Sequence, residues 1–191
     1  MKVSFETPES FHIKDFPQRV RLEKGDRVGP YTIEKRLGDG TFGMVFKATN
    51  SGKTYAIKVL KLWETVYQEK KEELGEKFLR EYLIANSKGE YLVNAHEFGM
   101  IDGNPFFVMD FFKMGDLRSQ VGRLSNDDIS LIGFETLKGL QTLHSNGIIH
   151  RDIKPENVMI GDNGKAFLTD FGISAFVNHS IKRQTKPGMF G

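Results

Sequence analysis

The sequence predicts an α+β fold in two parts: an antiparallel five-stranded sheet with one helix, then a mainly helical lobe. Three observations carry this. Apolar and polar residues alternate in short runs between residues 31 and 60, with tight turns between the runs. The pattern changes to helical spacing between Glu69 and Asn86. After Gly115 the helical pattern dominates, apart from one short strand pair.

Residues 1–24 are charged, with scattered Phe and no sustained period. They are read as an extension that packs on the domain or frays. Gly25-Asp26 and Gly29-Pro30 are turn signals. Tyr31, Ile33, Lys35 and Leu37 alternate with Thr32, Glu34 and Arg36, which predicts a strand. A glycine-rich turn, Gly38 to Gly43, leads to a second strand, Met44 to Thr49. Asn50-Ser51-Gly52-Lys53 turns the chain into a third, Thr54 to Leu60, completing a meander. Leu74, Phe78, Tyr82 and Ala85 then mark one face of a helix, which Gly75 weakens near its start. Strands follow at His96 to Ile101 and Phe106 to Phe111, joined through Asp102-Gly103-Asn104-Pro105. Ser125 to Asp128 supply N-caps for a helix from Ile129 to Ser145, ended by Asn146-Gly147. Its apolar residues Leu131, Ile132, Phe134, Leu137, Leu140 and Leu143 form a broad face. Val158 to Ile160 and Ala166 to Thr169 are read as a short strand pair. The expected division is 1–24 extension, 25–112 first lobe and hinge, and 113–191 second lobe, with the ligand cleft between the lobes.

Composition narrows the functional classes. The chain has 191 residues, 39% hydrophobic and 27% charged, which is ordinary globular composition. With 27 basic and 25 acidic side chains the net charge is +2, so no nucleic-acid partner is expected. Cysteine is absent, which excludes disulfides and thiolate zinc sites. No run approaches the roughly 18 apolar residues of a membrane span, and Met1 to Ser10 is not a secretory signal. No membrane partner is expected, and the expected location is cytoplasmic.

Four motifs carry chemistry. Gly38-Asp39-Gly40-Thr41-Phe42-Gly43-Met44-Val45 fits G-x-G-x-x-G-x-V, whose glycines let backbone N–H groups approach phosphate oxygens. It joins two strands, whereas the dinucleotide-binding version needs a strand followed by a helix. Lys58 in Tyr55-Ala56-Ile57-Lys58 lies in an apolar strand. A buried ammonium there needs a partner, and the bland alternative is an edge strand with the lysine in solvent. His150-Arg151-Asp152-Ile153-Lys154-Pro155-Glu156-Asn157 places a carboxylate and an amide oxygen on one loop, suited to a proton acceptor and a hard-cation ligand. His150 is read as a core histidine that fixes the loop. Asp170-Phe171-Gly172 follows 18 residues after Asp152, at the end of a strand.

Together, in this order and context, these motifs resemble the signature set of the eukaryotic-type protein kinase family. The resemblance covers about residues 25 to 190. It implies ATP-dependent phosphoryl transfer to protein Ser or Thr hydroxyls, with Mg²⁺ as cofactor and ATP as phosphoryl donor. By that resemblance the Gly38–Gly43 loop, with Gly40 at its centre and Leu37 before it, covers the phosphates. Lys58 holds the α- and β-phosphates and pairs with Glu81, with Glu76 the second choice. Left to the helix alone, Glu81 would pair with Lys77. Asp152 is the catalytic base, Lys154 the γ-phosphate contact, and Asn157 and Asp170 the metal ligands. Val45 and Ala56 lie above the adenine and Met159 below it. Met109 is the gatekeeper, Asp110 and Phe112 supply hinge backbone contacts, and Asp116 reaches the ribose. Lys154 two places after Asp152 is the Ser/Thr pattern, and the intact His-Arg-Asp argues against a small-molecule kinase. Arg151 implies control by phosphorylation, with Ser174, Ser180 and above all Thr185, flanked by Lys182, Arg183 and Lys186, as candidate sites.

The chain stops at Gly191, inside what the resemblance makes an activation segment, before a substrate-docking loop and further helices. The expectation is therefore an incomplete helical lobe, cut from a longer kinase, with a partner covering the exposed helical face. The other readings are a minimal kinase completed by that partner, and a nucleotide-binding interaction module with little or no catalysis.

Overall fold

The computed structural model describes residues 1–13, 16–41, 43–171 and, as backbone, 175–176. The first lobe is one antiparallel sheet of β1 (Val3–Phe5), β2 (Arg27–Val28), β3 (Tyr31–Asp39), β4 (Gly43–Asn50), β5 (Lys53–Leu60), β6 (Ala95–Ile101) and β7 (Asn104–Asp110). Their order across the sheet is β1-β6-β7-β5-β4-β3-β2. The expected five strands are thus seven. Both additions are edges: β1 lies on β6 with Val3 opposite Ile101, and β2 on β3 with Val28 opposite Tyr31. Strands of three and two residues are too short to carry a period of their own. They form because the edges of β6 and β3 present backbone groups that need partners.

Alternation sorts the central strands into two faces. Ile33, Phe46, Ile57, Val59, Phe106 and Val108 are buried on the outer face, in a core that Val20 and Val28 help close. Ala56 and Lys58 point to the opposite face, in register with Met109 and Phe107 of β7. The β4–β5 and β6–β7 hairpin turns are two residues long. Ser51-Gly52 (φ 49° and 77°) and Asp102-Gly103 (φ 48° and 82°) are left-handed at both positions, which matches the strand twist. The expected turn through Pro105 is therefore tighter, and Asn104 and Pro105 pair within β7 opposite Ile101 and Met100.

Helix α1 (Gln68–Asn86) buries Phe78, Glu81, Tyr82 and Ala85 along one face. Its Tyr82 ring lies 5.1 Å from Phe98 of β6, and its Phe78 ring 4.9 Å from Phe107 of β7. In the second lobe, α2 (Asn126–Ser145) starts with a capping box. The Ser125 hydroxyl accepts the Asp128 N–H, and the Asp128 carboxylate accepts the Ser125 N–H. Gly147, at φ 70°, lets the chain leave the helix. Then come β8 (Ile148–Ile149), β9 (Val158–Ile160), β10 (Ala166–Leu168) and β11 (Ala175–Phe176), with β9 paired to β10 and β8 to β11.

Leu168 ties the lobes together. Its N–H donates to the Tyr91 carbonyl and its carbonyl accepts from Val93 N–H, both at 2.8 Å. One core runs from Phe78 and Tyr82 through Leu92 to Leu168, Ile132 and Leu143. On α2 the buried Glu135 accepts the Ala166 N–H at 2.7 Å, which fixes the helix against β10. The opposite stripe of α2, with Ile129, Leu131, Phe134 and Leu137, is exposed. Among the described residues, no helix is long and apolar enough to cross a membrane.

The α2–β10 contact is close. A Cβ at Gly139 would lie 2.9 Å from both Leu168 Cδ1 and the Tyr91 carbonyl oxygen. Gly139→Val is expected to destabilise the fold by about 1–3 kcal/mol through overpacking. Urea denaturation checks this, with Gly133→Val as the control, because a Cβ at Gly133 meets nothing within 4 Å.

Candidate active site

The site is a cleft of about 720 Å³ between the lobes. Leu37, Gly38, Gly40, Gly43, Val45, Ala56, Lys58, Met109, Asp110, Phe112, Asp116, Asn157, Met159 and Asp170 all line it. Its size suits a small-molecule ligand. Behind it lies a second space of about 350 Å³ bounded by Gly43, Lys58, Glu81, Asp152 and Asp170.

Lys58 lies on a central strand, between β4 and β7, and not on an edge. Its ammonium donates to Glu81 Oε1 at 2.5 Å and to Asp170 Oδ1 at 3.3 Å. Glu81 shares the buried stripe of α1 with Phe78 and Tyr82, one turn from each or adjacent, which turns its carboxylate toward the sheet. Glu76 is exposed, and Lys77 pairs with Glu73 instead of Glu81. Burial opposes the charge on Lys58, but Glu81 and then Asp170 outweigh it and hold the lysine above its usual pKa. Lys58 is therefore an ammonium at neutral pH.

On the facing loop, Asp152 Oδ2 accepts from Lys154 Nζ at 2.7 Å and from Asn157 Nδ2 at 3.0 Å. Asn157 Nδ2 also donates to the Asp152 carbonyl at 2.8 Å. Lys154, and then Asn157, hold the Asp152 carboxyl below the usual carboxylate pKa. His150 is buried and its pKa is lowered, mainly by that burial. Its Nδ1 accepts the Asp152 N–H at 3.3 Å, so Nε2 carries the proton donated to the Thr169 carbonyl at 3.0 Å. The histidine thus joins the Asp152 loop to the strand end that carries Asp170, as its bland reading expects. Arg151 (φ 69°) and Asp170 (φ 65°) both have left-handed backbone. Such conformations cost about 1–3 kcal/mol each in a non-glycine residue and cluster at functional sites.

At the end of β7, the Asp110 carboxylate bonds His96 Nε2 (2.8 Å) and accepts from Asn94 Nδ2 (3.2 Å). Asp116 lines the cleft, but its Oδ1 already accepts the Ser119 N–H at 2.7 Å, capping the turn Leu117–Gln120. Val93 and Thr169 also line the cleft and carry no sequence signal for it. Neither does Lys61, which donates to the Gly40 carbonyl at 2.9 Å and pairs with Asp39, tying the glycine-rich turn to the end of β5. Gly172, Ser174, Ser180 and Thr185, with Lys182, Arg183 and Lys186 around the last, lie outside the described residues.

A strand-rich lobe with a glycine turn, a helix whose glutamate grips a strand lysine, and an Asp–Asn loop across the cleft define a kinase-type fold. The family model described as protein kinase domain matches residues 31–189, and the chain belongs to that family. Among curated proteins it is similar to serine/threonine-protein kinase STE20 of Kluyveromyces lactis, 36% identical over 167 residues, 86% of this chain and 16% of that protein. It is 31% identical to a putative ribosomal protein S6 kinase alpha-1 of Caenorhabditis elegans, over 83% of this chain and 21% of that protein. It is 34% identical to serine/threonine-protein kinase max-2 of the same organism, over 89% of this chain and 26% of that protein. The chain thus spans about a sixth to a quarter of the length of these relatives.

Proposed function

We propose that the chain transfers the γ-phosphoryl group of ATP to Ser or Thr hydroxyls of protein substrates. One observation carries the proposal: Lys58 and Asp170 of the Lys58–Glu81–Asp170 ion network share the cleft with Asn157, and the adjoining space brings the same network to Asp152, which Asn157 holds. In this reading Lys58 binds the α- and β-phosphates, held in place by Glu81. The backbone of Gly38–Gly43 covers the phosphates, and the Lys61–Gly40 bond limits how far that turn opens. Val45, Ala56 and Met159 sandwich the adenine, Met109 bounds the rear, and the Asp110 and Phe112 backbone meets the base edge. Asp116 reaches the ribose with the carboxylate oxygen that does not cap Ser119. Lys154 leaves Asp152 for the γ-phosphate.

The donor set also fits Mg²⁺. Asn157 spends its amide nitrogen on Asp152, so its acceptor is the carbonyl oxygen, and Asp170 adds a carboxylate beside Lys58. These are hard oxygen ligands. Bound Mg²⁺ supplies charge neutralisation on the phosphate oxygens. Asp152 orients the substrate hydroxyl and takes its proton. Lys154 and Asn157 both bond Oδ2, so Oδ1 is the oxygen for that task. A polypeptide covering the exposed stripe of α2 and a cytoplasmic setting belong to the same proposal.

The deciding experiment incubates the chain with Mg-ATP and a Ser/Thr-rich basic peptide and follows intact mass. Phosphate on Ser or Thr is the expected result. Nucleotide binding by a folded chain without transfer would overturn the reading in favour of a binding module.

The pKa of Asp152 supplies a further expectation. A carboxyl held low stays ionised on acidification, so the acid limb of the kcat/KM profile, which reports the free enzyme with Lys154 still on Asp152, lies below the usual Asp range. Lys154→Met removes the main cause of that lowering. Its profile, normalised to its own plateau, is expected to lose activity at a higher pH than the parent's.

A further inference from the structure

Residues 1–24 lie before the 31–189 match to the kinase family, yet the body of the domain is contoured to receive part of them. Three glycines meet this segment where a Cβ would collide, Gly29 against the Phe5 ring, Gly75 against Ile13 and Gly99 against the Ser4 carbonyl, and a fourth, Gly103, where a Cβ would be crowded by Pro17. Gly29 and Gly103 sit in left-handed turns that call for glycine anyway. Gly75 lies within helix α1 and Gly99 within strand β6, neither with left-handed backbone. A glycine inside a helix or strand weakens it, so the approach of the segment is what accounts for Gly75, and the segment together with the Phe106 ring accounts for Gly99.

The segment is pinned at both ends. At one end β1 pairs with β6, and Lys2 N–H donates to Asp102 Oδ1 at 2.6 Å. At the other, Gln18 N–H donates to the Asp102 carbonyl and the Gln18 carbonyl accepts from Asn104 Nδ2, both at 2.8 Å. Between these anchors, Phe11 stacks edge-on against Phe98 at 5.3 Å, and Phe98 packs against Tyr82, the neighbour of Glu81. Phe11 and Ile13 both pack on the core that includes α1.

We infer that the N-terminal segment is a built-in brace that holds α1 where Glu81 meets Lys58, with Phe11 and Ile13 as positioning residues. The inference rests on the reading of Lys58 and Glu81 given above. The brace explains both a helix-weakening glycine facing Ile13 and anchors on either side of that contact.

The test uses the whole chain and two readouts, hydrogen exchange of α1 peptides and phosphoryl transfer to the peptide. Phe11→Ala/Ile13→Ala is expected to raise exchange across Gln68–Asn86 while leaving β3 to β5 unchanged. It should lower kcat by about tenfold or more, with the peptide KM little moved. The chain has no cysteine, so within one molecule Ile13→Cys/Gly75→Cys can form only the intended disulfide, and the oxidised monomer is isolated from any cross-linked dimer. Ile13 Cγ1 lies 3.1 Å from a Cβ at position 75, within reach of that bond. The oxidised pair should match the parent in both readouts, and the reduced pair should match the alanine variant. Unchanged α1 exchange, or exchange that rises equally across the sheet, would overturn the brace, as would oxidised and reduced pairs that behave alike. If the parent itself transfers no phosphate, the kinase reading fails, and exchange alone decides the brace.

Discussion

Asp152→Asn is expected to lower kcat for peptide phosphorylation by about 10²–10⁴-fold, the usual contribution of a positioned general base. The KM for ATP should change little, because the side chains proposed to hold the adenine and the α- and β-phosphates lie on other elements, Lys58 on β5, Val45 on β4 and Met159 on β9, and the amide still accepts from Lys154 or Asn157. Shape is nearly conserved, so stability should hold. The variant keeps an oxygen that can accept from Lys154 or Asn157, as Oδ2 does in the parent. What disappears is the carboxylate that orients and deprotonates the hydroxyl. Steady-state kinetics beside a thermal melt check both halves. A fall in kcat with an unchanged melt supports the assignment. A variant retaining more than about a tenth of parental kcat would remove Asp152 from the chemistry.

Lys58→Met should do more, because it damages folding as well as catalysis. Glu81 is only 5% exposed, and the substitution leaves its carboxylate buried beside Asp170 with no cation between them. Breaking a fully buried pair costs about 3–5 kcal/mol. The Lys58 side chain is 20% exposed, so about 2–3 kcal/mol is the expected loss near pH 7. The sign with pH is definite. Burial raises the Glu81 pKa, and in the variant the lysine no longer opposes it. A raised carboxyl contributes stability while protonated and loses it as pH rises above its usual 4.5. The variant, measured against the parent, should therefore lose most at pH 8 and recover in part at pH 5. In the parent, the raised Lys58 keeps its contribution up to its usual 10.5 and loses it only at higher pH. Adding Glu81→Gln to the variant should restore part of the loss by removing the stranded charge. Transfer should drop by about 10²–10³-fold in either form, because the cation proposed to meet the phosphates is gone. Denaturation at pH 5 and pH 8, with single-turnover kinetics, decides the matter.

Much of this architecture is written locally. Tyr31 and Ile33 alternate with Thr32 and Glu34, and the buried faces of β3 to β5 follow directly. The 3.6-residue spacing from Leu74 to Ala85 marks the buried face of α1, and Glu81 falls on it where Glu76 does not. Ser125 and Asp128 announce the start of α2. The glycine-rich turn, the lysine in an apolar strand, the His150–Asn157 loop and the Asp170 strand end are each legible because the chemistry lies within a few adjacent residues.

What local pattern could not decide depends on groups distant along the chain. Val3–Phe5 has no period, and its place beside Gly99–Ile101 is set by backbone hydrogen bonding to an open edge. Val93 and Thr169 enter the cleft because Leu168 bonds to Tyr91 and Val93, a pairing between lobes. Lys61 reaches Gly40 across a hairpin, and Asp116 is drawn into a cap by Ser119. Gly75 reads from sequence as a flaw in a helix and gains its reason only when Ile13 is laid against it. Periodicity records which side of an element is buried. Which partner buries it is settled by register and close packing between segments, and these exist only once the chain has folded.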